Sequence, residues 1–194
     1  MNFLAHIYLS GNNENIMLGN FFADSIHGSK YLDYPPEIQK GILLHRFIDS
    51  FTDSHPIYRQ SKHRLHENYG HYSGVIMDIV YDHFLAKNWS RYSTISLENY
   101  ADDFYKLLEK NFANLPERTQ NMMPYMIEQN WLVTYKTIAG IEKILFQMDY
   151  RTKHRANMPQ AVNELKQFYT EFESEFTAFF KELETNCLKK ISEL

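Results

Sequence analysis

The stretch LKQFYTEFESEFTAFFKELETNC, from Leu165 to Cys187, decides the fold class of this chain. Its apolar residues recur every three or four positions, which is the period of a helix that buries one face. Asn157 and Pro159 precede it as a capping residue and a first-turn proline, so we expect one helix from Pro159 onward. The apolar face is predicted to be core, and a stripe that binds a partner is the alternative. Its members are Leu165, Phe168, Phe172, Phe176, Phe179, Leu183 and Cys187.

Helical periodicity continues through the rest of the chain. The 194 residues include only seven glycines and six prolines, a composition that argues against disorder and against a turn-rich β fold. No segment shows the sustained alternation of a strand, and no linker divides the sequence. The sequence therefore predicts an all-α fold, one helical-bundle domain over residues 1–194 with about eight helices. Helices are predicted from the two prolines that follow Asp33 to about Ser54, from Pro56 onward, over 73–89, near 96–113, near 120–131, near 134–148 and from Pro159 onward.

Composition and charge argue against several classes of protein. The net charge of −4 gives no support to nucleic-acid binding. No apolar run approaches the roughly 18 residues of a membrane span, so no membrane is expected as a partner. The first residues, MNFLAHIYLS, lack the basic region of a secretion signal. Cys187 is the single cysteine and cannot form an intrachain disulfide, which fits a reducing compartment and predicts a cytoplasmic protein.

The stretch LLHRFIDSFTD, from Leu43 to Asp53, places charged residues inside an apolar run. On a helix, His45 and Asp49 are neighbours with Cβ atoms about 6 Å apart. They are close enough to share a cation, and a solvated surface pair is the alternative interpretation. Helical periodicity puts them on one face with Ile38, Ile42, Thr52 and Asp53. The opposite face, predicted to be the main core face, carries Leu43, Leu44, Phe47, Ile48 and Phe51.

The stretch VIMDIVYDHFL carries Asp78 and Asp82 four residues apart among apolar neighbours. A helix that is apolar on nearly every side is expected to be buried. Two carboxylates stacked in such a helix repel each other and need a counter-charge. A basic residue such as Arg46 would supply it, and a divalent cation would do so more completely. We therefore favour a metal or catalytic role over a structural ion pair.

Two N-terminal segments carry residues of the same types. His6 lies among apolar residues in NFLAHIYLSG, and Asp24 follows Asn20 by four residues in MLGNFFADSIHG. A single histidine in an apolar helix is more often a hydrogen-bonded core residue than a ligand. Four separate segments with histidine or aspartate in apolar surroundings indicate a shared site. Imidazole and carboxylate ligands suit Mn²⁺, Mg²⁺, Fe²⁺ or Zn²⁺ without separating them.

Five motifs occur in order along the chain: MNFLAH, GNFFAD, GILLHRFIDSFTDSHP, MDIVYDHFLAKNW and QNWLVTY. Together they cover nearly its whole length, and the ordered set is far more specific than any one motif. With these motifs the sequence resembles the acyl-carrier-protein phosphodiesterase family, a group of bacterial all-helical enzymes. That family removes the 4′-phosphopantetheine group from holo acyl carrier protein and returns the apo form.

The resemblance also implies a cofactor, a distant relationship and roles for particular residues. The family uses a divalent metal, typically Mn²⁺, and its fold is regarded as a distant, rearranged relative of the HD metal-dependent phosphohydrolases. The implied metal ligands are Asp24, His45, Asp49 and Asp82, with His6 as a further ligand or as the partner of one. For hydrolysis at such a site we ourselves assign Asp78, the next candidate for the metal site after these residues, to orient a ligand histidine or accept a proton from water. We assign Asp53 and His55 to meet the substrate phosphate or the leaving group.

Two other functions remain open at the level of the sequence. A related metal phosphohydrolase that acts on a small phosphoester or nucleotide would share the metal ligands. A non-catalytic helical binding module would retain the carboxylates as members of structural ion pairs. The response to acyl carrier protein separates the first alternative from the implied function, and metal content separates the second.

Holo acyl carrier protein, the implied substrate and partner, is acidic around its modified serine, so its recognition requires local positive charge. Arg59, Lys62 and Arg64 follow the implied site directly in sequence and are the predicted partner-binding residues. A solvated basic face is the alternative interpretation. It is the preferred one for a second basic segment, which carries Arg151, Lys153 and Arg155.

Overall fold

The computed structural model describes residues 1–153 and 156–194, without the side chain of residue 151. Arg155 and the side chain of Arg151, from the second basic segment, therefore lie outside the described residues. Within those residues the chain forms eleven α-helices and short 3₁₀ turns and no β-strand, so the predicted all-α fold is confirmed. The helices are α1 (Phe3–Tyr8), α2 (Glu14–Phe22), α3 (Pro36–Ser54), α4 (Pro56–Tyr69), α5 (Ser73–Lys87), α6 (Leu97–Lys110), α7 (Glu117–Glu128), α8 (Trp131–Thr134), α9 (Ile138–Arg151), α10 (Ala161–Gln167) and α11 (Tyr169–Glu193).

The positions of the helices follow the predictions more closely than their number does. Helices α3 and α4 begin at Pro36 and Pro56, as expected for proline in a first turn. The single C-terminal helix predicted from Pro159 is wrong, because Phe168 (φ −108°, ψ 28°) leaves the helical conformation and separates α10 from α11. Across the described ranges, no helix has both the length and the apolar character that crossing a membrane requires.

Apolar burial centres on α5 and α11. Every residue of α5 from Ile79 to Ala86 is buried, as predicted for a helix that is apolar on nearly every side. Phe172 and Phe176 are fully buried in α11, which contacts α3, α4 and α5. The apolar face of the C-terminal segment is therefore core, and the alternative of an exposed partner-binding stripe is wrong.

Helix α3 is buried on two sides, so the prediction of one main core face is only partly right. Leu44 and Ile48 are fully buried, as expected, whereas Phe47 is only half-buried. Ile42 is fully buried as well, although it belongs to the face that carries His45. This second buried side of α3 contacts α2.

Helices α2 and α3 meet backbone to backbone at two glycines. A Cβ atom on Gly19 would collide with the carbonyl oxygen of Ile38, and one on Gly41 would collide with that of Ile16. Any side chain at either position would therefore separate the helices. The close approach brings the end of α2 against the turn of α3 that carries His45.

Candidate metal centre

Three side chains from α1 and α3 converge at one wall of a cavity. His6 Nε2 lies 3.3 Å from Asp49 Oδ1, and His45 Nε2 lies 3.1 Å from Asp49 Oδ2. The two imidazole rings are stacked with their centroids 4.1 Å apart. One possible ligand atom from each of the three residues lies within 4.8 Å of the others. The structure therefore brings together the predicted His45–Asp49 pair and the histidine of the first helix.

Asn20, buried near the end of α2, orients both histidines. Its side-chain oxygen lies 2.8 Å from His6 Nδ1, and its backbone oxygen lies 2.8 Å from His45 Nδ1. Its side-chain nitrogen donates to the hydroxyl of Ser10 and to a backbone carbonyl, so the oxygen is free to accept. Each Nδ1 therefore donates, and each Nε2 faces Asp49. Asn20 was not among the predicted site residues, and its signal in the sequence is an amide inside the apolar run MLGNFF.

Asp24 joins this cluster from its solvent side. It lies on the 3₁₀ turn that follows α2, and its Oδ1 is 3.2 Å from His45 Nε2. Its side chain is 67% exposed, against 5% for that of His6. Asp24 is therefore placed where a ligand at the rim of a metal site would lie.

Hydrogen bonds to carboxylates set the charges of the cluster. Burial acts to lower the pKa of His45, but hydrogen bonds to Asp24 and Asp49 outweigh it and raise the pKa to about 9. Burial and the neighbouring His45 lower the pKa of His6. Burial acts to raise the pKa of Asp49, but the hydrogen bond from His45 and its positive charge outweigh burial and lower the pKa overall. Without a metal, the cluster thus holds two carboxylates, one imidazolium and one neutral imidazole.

This donor set fits a divalent cation. Two ligands about 2.1 Å from one ion and at right angles are about 3 Å apart. The nitrogen-to-oxygen distances of 3.1 and 3.3 Å are close to that value. Two imidazole nitrogens with carboxylate oxygens suit Mn²⁺, Fe²⁺ or Zn²⁺ and also accept Mg²⁺. A bound cation would replace the imidazolium proton as the partner of the carboxylates.

Asp82, also implied as a metal ligand, lies outside the cluster, and both of its carboxylate oxygens accept hydrogen bonds. Its Oδ1 accepts from the backbone N–H of Asn2 at 3.1 Å, and its Oδ2 accepts from that of Leu4 at 2.8 Å. Backbone N–H groups at the start of a helix have no partner within the helix, so this buried carboxylate caps α1. Burial raises the pKa of Asp82 to about 7. We therefore leave Asp82 out of the proposed ligands.

Asp78, one turn earlier on α5, pairs with the amino group of Met1. The two groups are 2.8 Å apart, and Tyr58 donates its hydroxyl hydrogen to the same carboxylate oxygen at 2.7 Å. The counter-charge of Asp78 is therefore the ammonium group of Met1, and neither Arg46 nor a metal cation is needed to supply it. Arg46 instead donates to backbone carbonyl oxygens, including that of Ile26 at 3.1 Å. Arg46, the example of a basic residue that would pair with these carboxylates, is therefore not the partner of Asp78.

The cluster opens into a cavity of about 850 Å³. A smaller cavity of about 350 Å³ shares Asp53 and Asp78 with it, so both cavities reach these two carboxylates. Asp53 is exposed, whereas Asp78 is half-buried. The predicted site residues that line the larger cavity are His6, Asp24, His45, Asp49, Asp53 and Asp78.

His55, assigned to meet the phosphate or the leaving group, turns away from both cavities. It lies at the junction of α3 and α4, and its Nε2 is 3.3 Å from Glu182 Oε2 on α11. Its ring packs edge-on against Phe179, with the centroids 5.0 Å apart. The extended backbone of His55 directs the ring towards α11, so His55 does not join the proposed site.

The predicted partner-binding residues of α4 differ in what they contact. Arg59 is exposed, and its Nε donates to the backbone oxygen of Asp53 at 2.9 Å. Lys62 is half-buried and lines the smaller cavity. Arg64 forms a bidentate ion pair with Glu175 of α11 at 2.6 and 2.7 Å. Arg64 therefore holds α4 against α11, and we leave it out of the proposed docking surface.

The fold and the site define a class: an all-helical protein with a histidine–aspartate cluster of metal-binding geometry in a cavity wall. The particular family follows from comparison with known proteins. A family model described as acyl carrier protein phosphodiesterase matches residues 1–183. The chain belongs to this family.

Curated relatives resemble the chain over nearly its whole length. A protein named acyl carrier protein phosphodiesterase from Pectobacterium atrosepticum is 33% identical over 93% of this chain and 94% of its own. Proteins of the same name from Photorhabdus laumondii and Yersinia enterocolitica are 31% and 30% identical, again over 93% of this chain and over 91% and 94% of theirs. No solved structure matches the chain. The relationship to the HD phosphohydrolases therefore stays a prediction.

Proposed function

We propose that this protein hydrolyses the phosphodiester of holo acyl carrier protein and releases 4′-phosphopantetheine and the apo carrier. The observation that carries the proposal is the convergence of His6, His45 and Asp49 at a cavity, in a chain whose relatives bear the name of this activity. Asp24 completes the proposed ligand set. The proposed cofactor is a divalent metal, and we favour Mn²⁺ over Mg²⁺, Fe²⁺ and Zn²⁺. The buried free thiol of Cys187 supports the cytoplasm as the proposed location.

The proposed reaction breaks the bond between phosphorus and the serine oxygen of the carrier. A water oxygen bonds to phosphorus while the serine oxygen leaves and takes a proton. The products are a serine hydroxyl and the phosphate monoester of pantetheine. A divalent cation, when bound, supplies a lowered pKa for water and neutralises charge on the phosphoryl oxygens.

Side chains of the protein would orient the ligands, accept a proton and lie beside the leaving group. Asn20 would keep the Nε2 atoms of both histidines directed at the ligand position. Asp78 accepts hydrogen bonds from Met1 and Tyr58 at the same oxygen, Oδ1. Its other oxygen, Oδ2, would accept a proton from the attacking water. Asp53, exposed and shared by both cavities, would lie near the leaving serine oxygen.

The carrier protein would dock beside α4. Arg59 and Lys62 are basic, lie within one turn of each other and adjoin the opening that Asp53 marks. Their charge is opposite to that of an acidic carrier, and such charges at the rim of an interface chiefly raise the rate of association.

Incubation of holo acyl carrier protein with this protein and Mn²⁺, followed by mass spectrometry of the carrier, tests the proposal. The carrier should lose the mass of 4′-phosphopantetheine, and addition of a chelator should prevent the loss. Asp49→Ala should abolish the reaction, whereas Asp103→Ala, the same change at an exposed position of α6, should leave it intact. An unchanged carrier, together with cleavage of a small phosphodiester, would indicate a different phosphohydrolase. Neither activity nor bound metal would indicate a binding module.

A further inference from the structure

The larger cavity extends well beyond the histidine–aspartate cluster. Its volume of about 850 Å³ lies in the range of roughly 300–1,000 Å³ of pockets that hold drug-sized ligands. A phosphate group at the cluster would fill only a small part of it. The remaining space therefore has room for a second part of the substrate.

The extension begins one turn from the proposed metal ligands. Phe3 precedes His6 by three residues on α1, and its ring lies over that of Trp131 with the centroids 6.2 Å apart. Both aromatic residues line the cavity. A continuous wall thus leads from the cluster to the end of α7 and to α9.

The far wall combines side-chain amides with apolar groups. Gln147 Nε2 donates to Gln129 Oε1 at 2.7 Å. Within the part of the chain that the structure describes, Gln129 Nε2 and Gln147 Oε1 form no hydrogen bond. A free donor and a free acceptor therefore lie side by side in the wall. The amide of Asn121, which is exposed, lines the same cavity. The apolar members of this wall include Met122, Ile144 and Met148.

We infer that this wall is the binding site for the pantetheine arm of the substrate. The inference rests on the proposed function. The arm carries two secondary amides among apolar carbon groups, together with a hydroxyl and a terminal thiol, and each amide offers one N–H and one carbonyl. Gln129 Nε2 would donate to an amide carbonyl of the arm, and Gln147 Oε1 would accept from an amide N–H. The apolar side chains cover the methylene groups between them.

Calorimetric titration with 4′-phosphopantetheine and, separately, with inorganic phosphate tests the inference in one Mn²⁺-containing buffer. Both probes carry a phosphate, so the ratio of their Kd values measures the contribution of the pantetheine arm to binding. The protein should bind 4′-phosphopantetheine at least about tenfold more tightly, as expected for roughly two hydrogen bonds. The double variant Gln129→Leu, Gln147→Leu should lose most of this difference. Gln167→Leu, the same change at an exposed position of α10, should retain it.

The outcomes separate the arm site from the proposed function. Equal affinity for the two probes, or a double variant that binds both as the parent does, overturns the arm site even where holo carrier is hydrolysed. A large difference between the probes that the double variant loses supports the arm site even where holo carrier is not hydrolysed. Should the double variant fail to fold, the single variants Gln129→Leu and Gln147→Leu replace it, because each removes one of the two amide groups assigned to the arm. Each should lose about threefold of the difference between the probes, and no loss in either variant would overturn the inference.

Discussion

His45 and Asp49 hold a proton between them in the absence of metal, and this proton links metal binding to pH. Hydrogen bonds to two carboxylates raise the pKa of His45 to about 9 against the effect of burial. His6, whose pKa is lowered by burial and by His45, is already neutral and ready to bind a cation. One of the two proposed imidazole ligands must therefore lose a proton before a metal can bind.

We expect Mn²⁺ binding near neutral pH to release about one proton. Because the pKa of His45 lies above neutrality, the apparent affinity should rise about tenfold per pH unit up to about pH 9 and then level off. Calorimetry in buffers of different ionisation enthalpy measures the proton count. His63→Ala, at an exposed histidine of α4, should leave the release unchanged. Binding without proton release would exclude His45 as a ligand.

Asp49 and Asp82 should respond in opposite ways to replacement by alanine. Asp82→Ala removes the buried acceptor of backbone N–H groups at the start of α1, so the free energy of unfolding should fall by at least about 2 kcal/mol. Asp49→Ala should abolish metal binding with a smaller effect on the metal-free fold, because a bound metal adds stability only by mass action. Urea denaturation and calorimetry on both variants provide the comparison. Loss of metal binding without loss of stability in Asp82→Ala would restore Asp82 as a ligand.

The local part of the site could be predicted from the sequence, and its tertiary part could not. His45 and Asp49 are neighbours because of helical periodicity alone, and the structure places them together. Asp78 and Asp82 show the same spacing, but they bind groups at and before the start of α1, namely the amino group of Met1 and the N–H of Leu4. The local pattern does not indicate which element of the fold will contact them. Asn20 acts through contacts with two other helices, which a single helical segment does not reveal.

At the scale of elements, the contact between α2 and α3 controls the geometry of the cluster. Asn20 and Asp24 come from α2 and the turn after it, and both contact His45 on α3. Their positions relative to His45 depend on the close approach at Gly19 and Gly41. The two glycines therefore help to hold the proposed ligands in place.

Gly41→Ala should separate α2 from α3 and disturb the cluster. The added methyl group would overlap a backbone carbonyl of α2, so the free energy of unfolding should fall by about 1–3 kcal/mol or more. Metal affinity should fall with it, since the Asn20 carbonyl moves away from His45. Gly74→Ala is the matched control on α5, where the methyl group would make only ordinary contacts and should be neutral or stabilising. Equal behaviour of the two variants would refute a special role for the glycine contact.

Helix type and helix starts could be predicted because they depend on local signals. Pro36 and Pro56 mark two starts, and the apolar period of the C-terminal segment correctly identifies its buried face. The break at Phe168 was missed, since the apolar period runs through it without interruption. The second buried side of α3 was missed because its apolar residues, Ile38 and Ile42, share a face with the implied metal ligands of α3, and because two facing glycines bring α2 against it.

At the scale of the whole molecule, a net charge of −4 would repel an acidic carrier unless local charges overcome it. The structure leaves Arg59 and Lys62 of α4 beside the shared edge of the two cavities. Arg64 is neutralised by Glu175 and adds no free charge to this face. On α4, recognition of the carrier would then depend on Arg59 and Lys62, and not on the overall charge.

Replacement of Arg59 and Lys62 by glutamate should raise the KM for holo acyl carrier protein several-fold at low ionic strength. The defect should shrink as salt is added, because mobile ions screen charges at an exposed interface. Hydrolysis of a small phosphodiester should change far less, since it requires no docking. Lys106→Glu with Lys110→Glu is the matched control, because it makes the same change of charge at exposed positions of α6, none of which line either cavity. Equal loss on both substrates would show that the α4 cations support the site or the fold. A similar KM defect in the control would show that overall charge governs the encounter, and either result would exclude α4 as the docking surface.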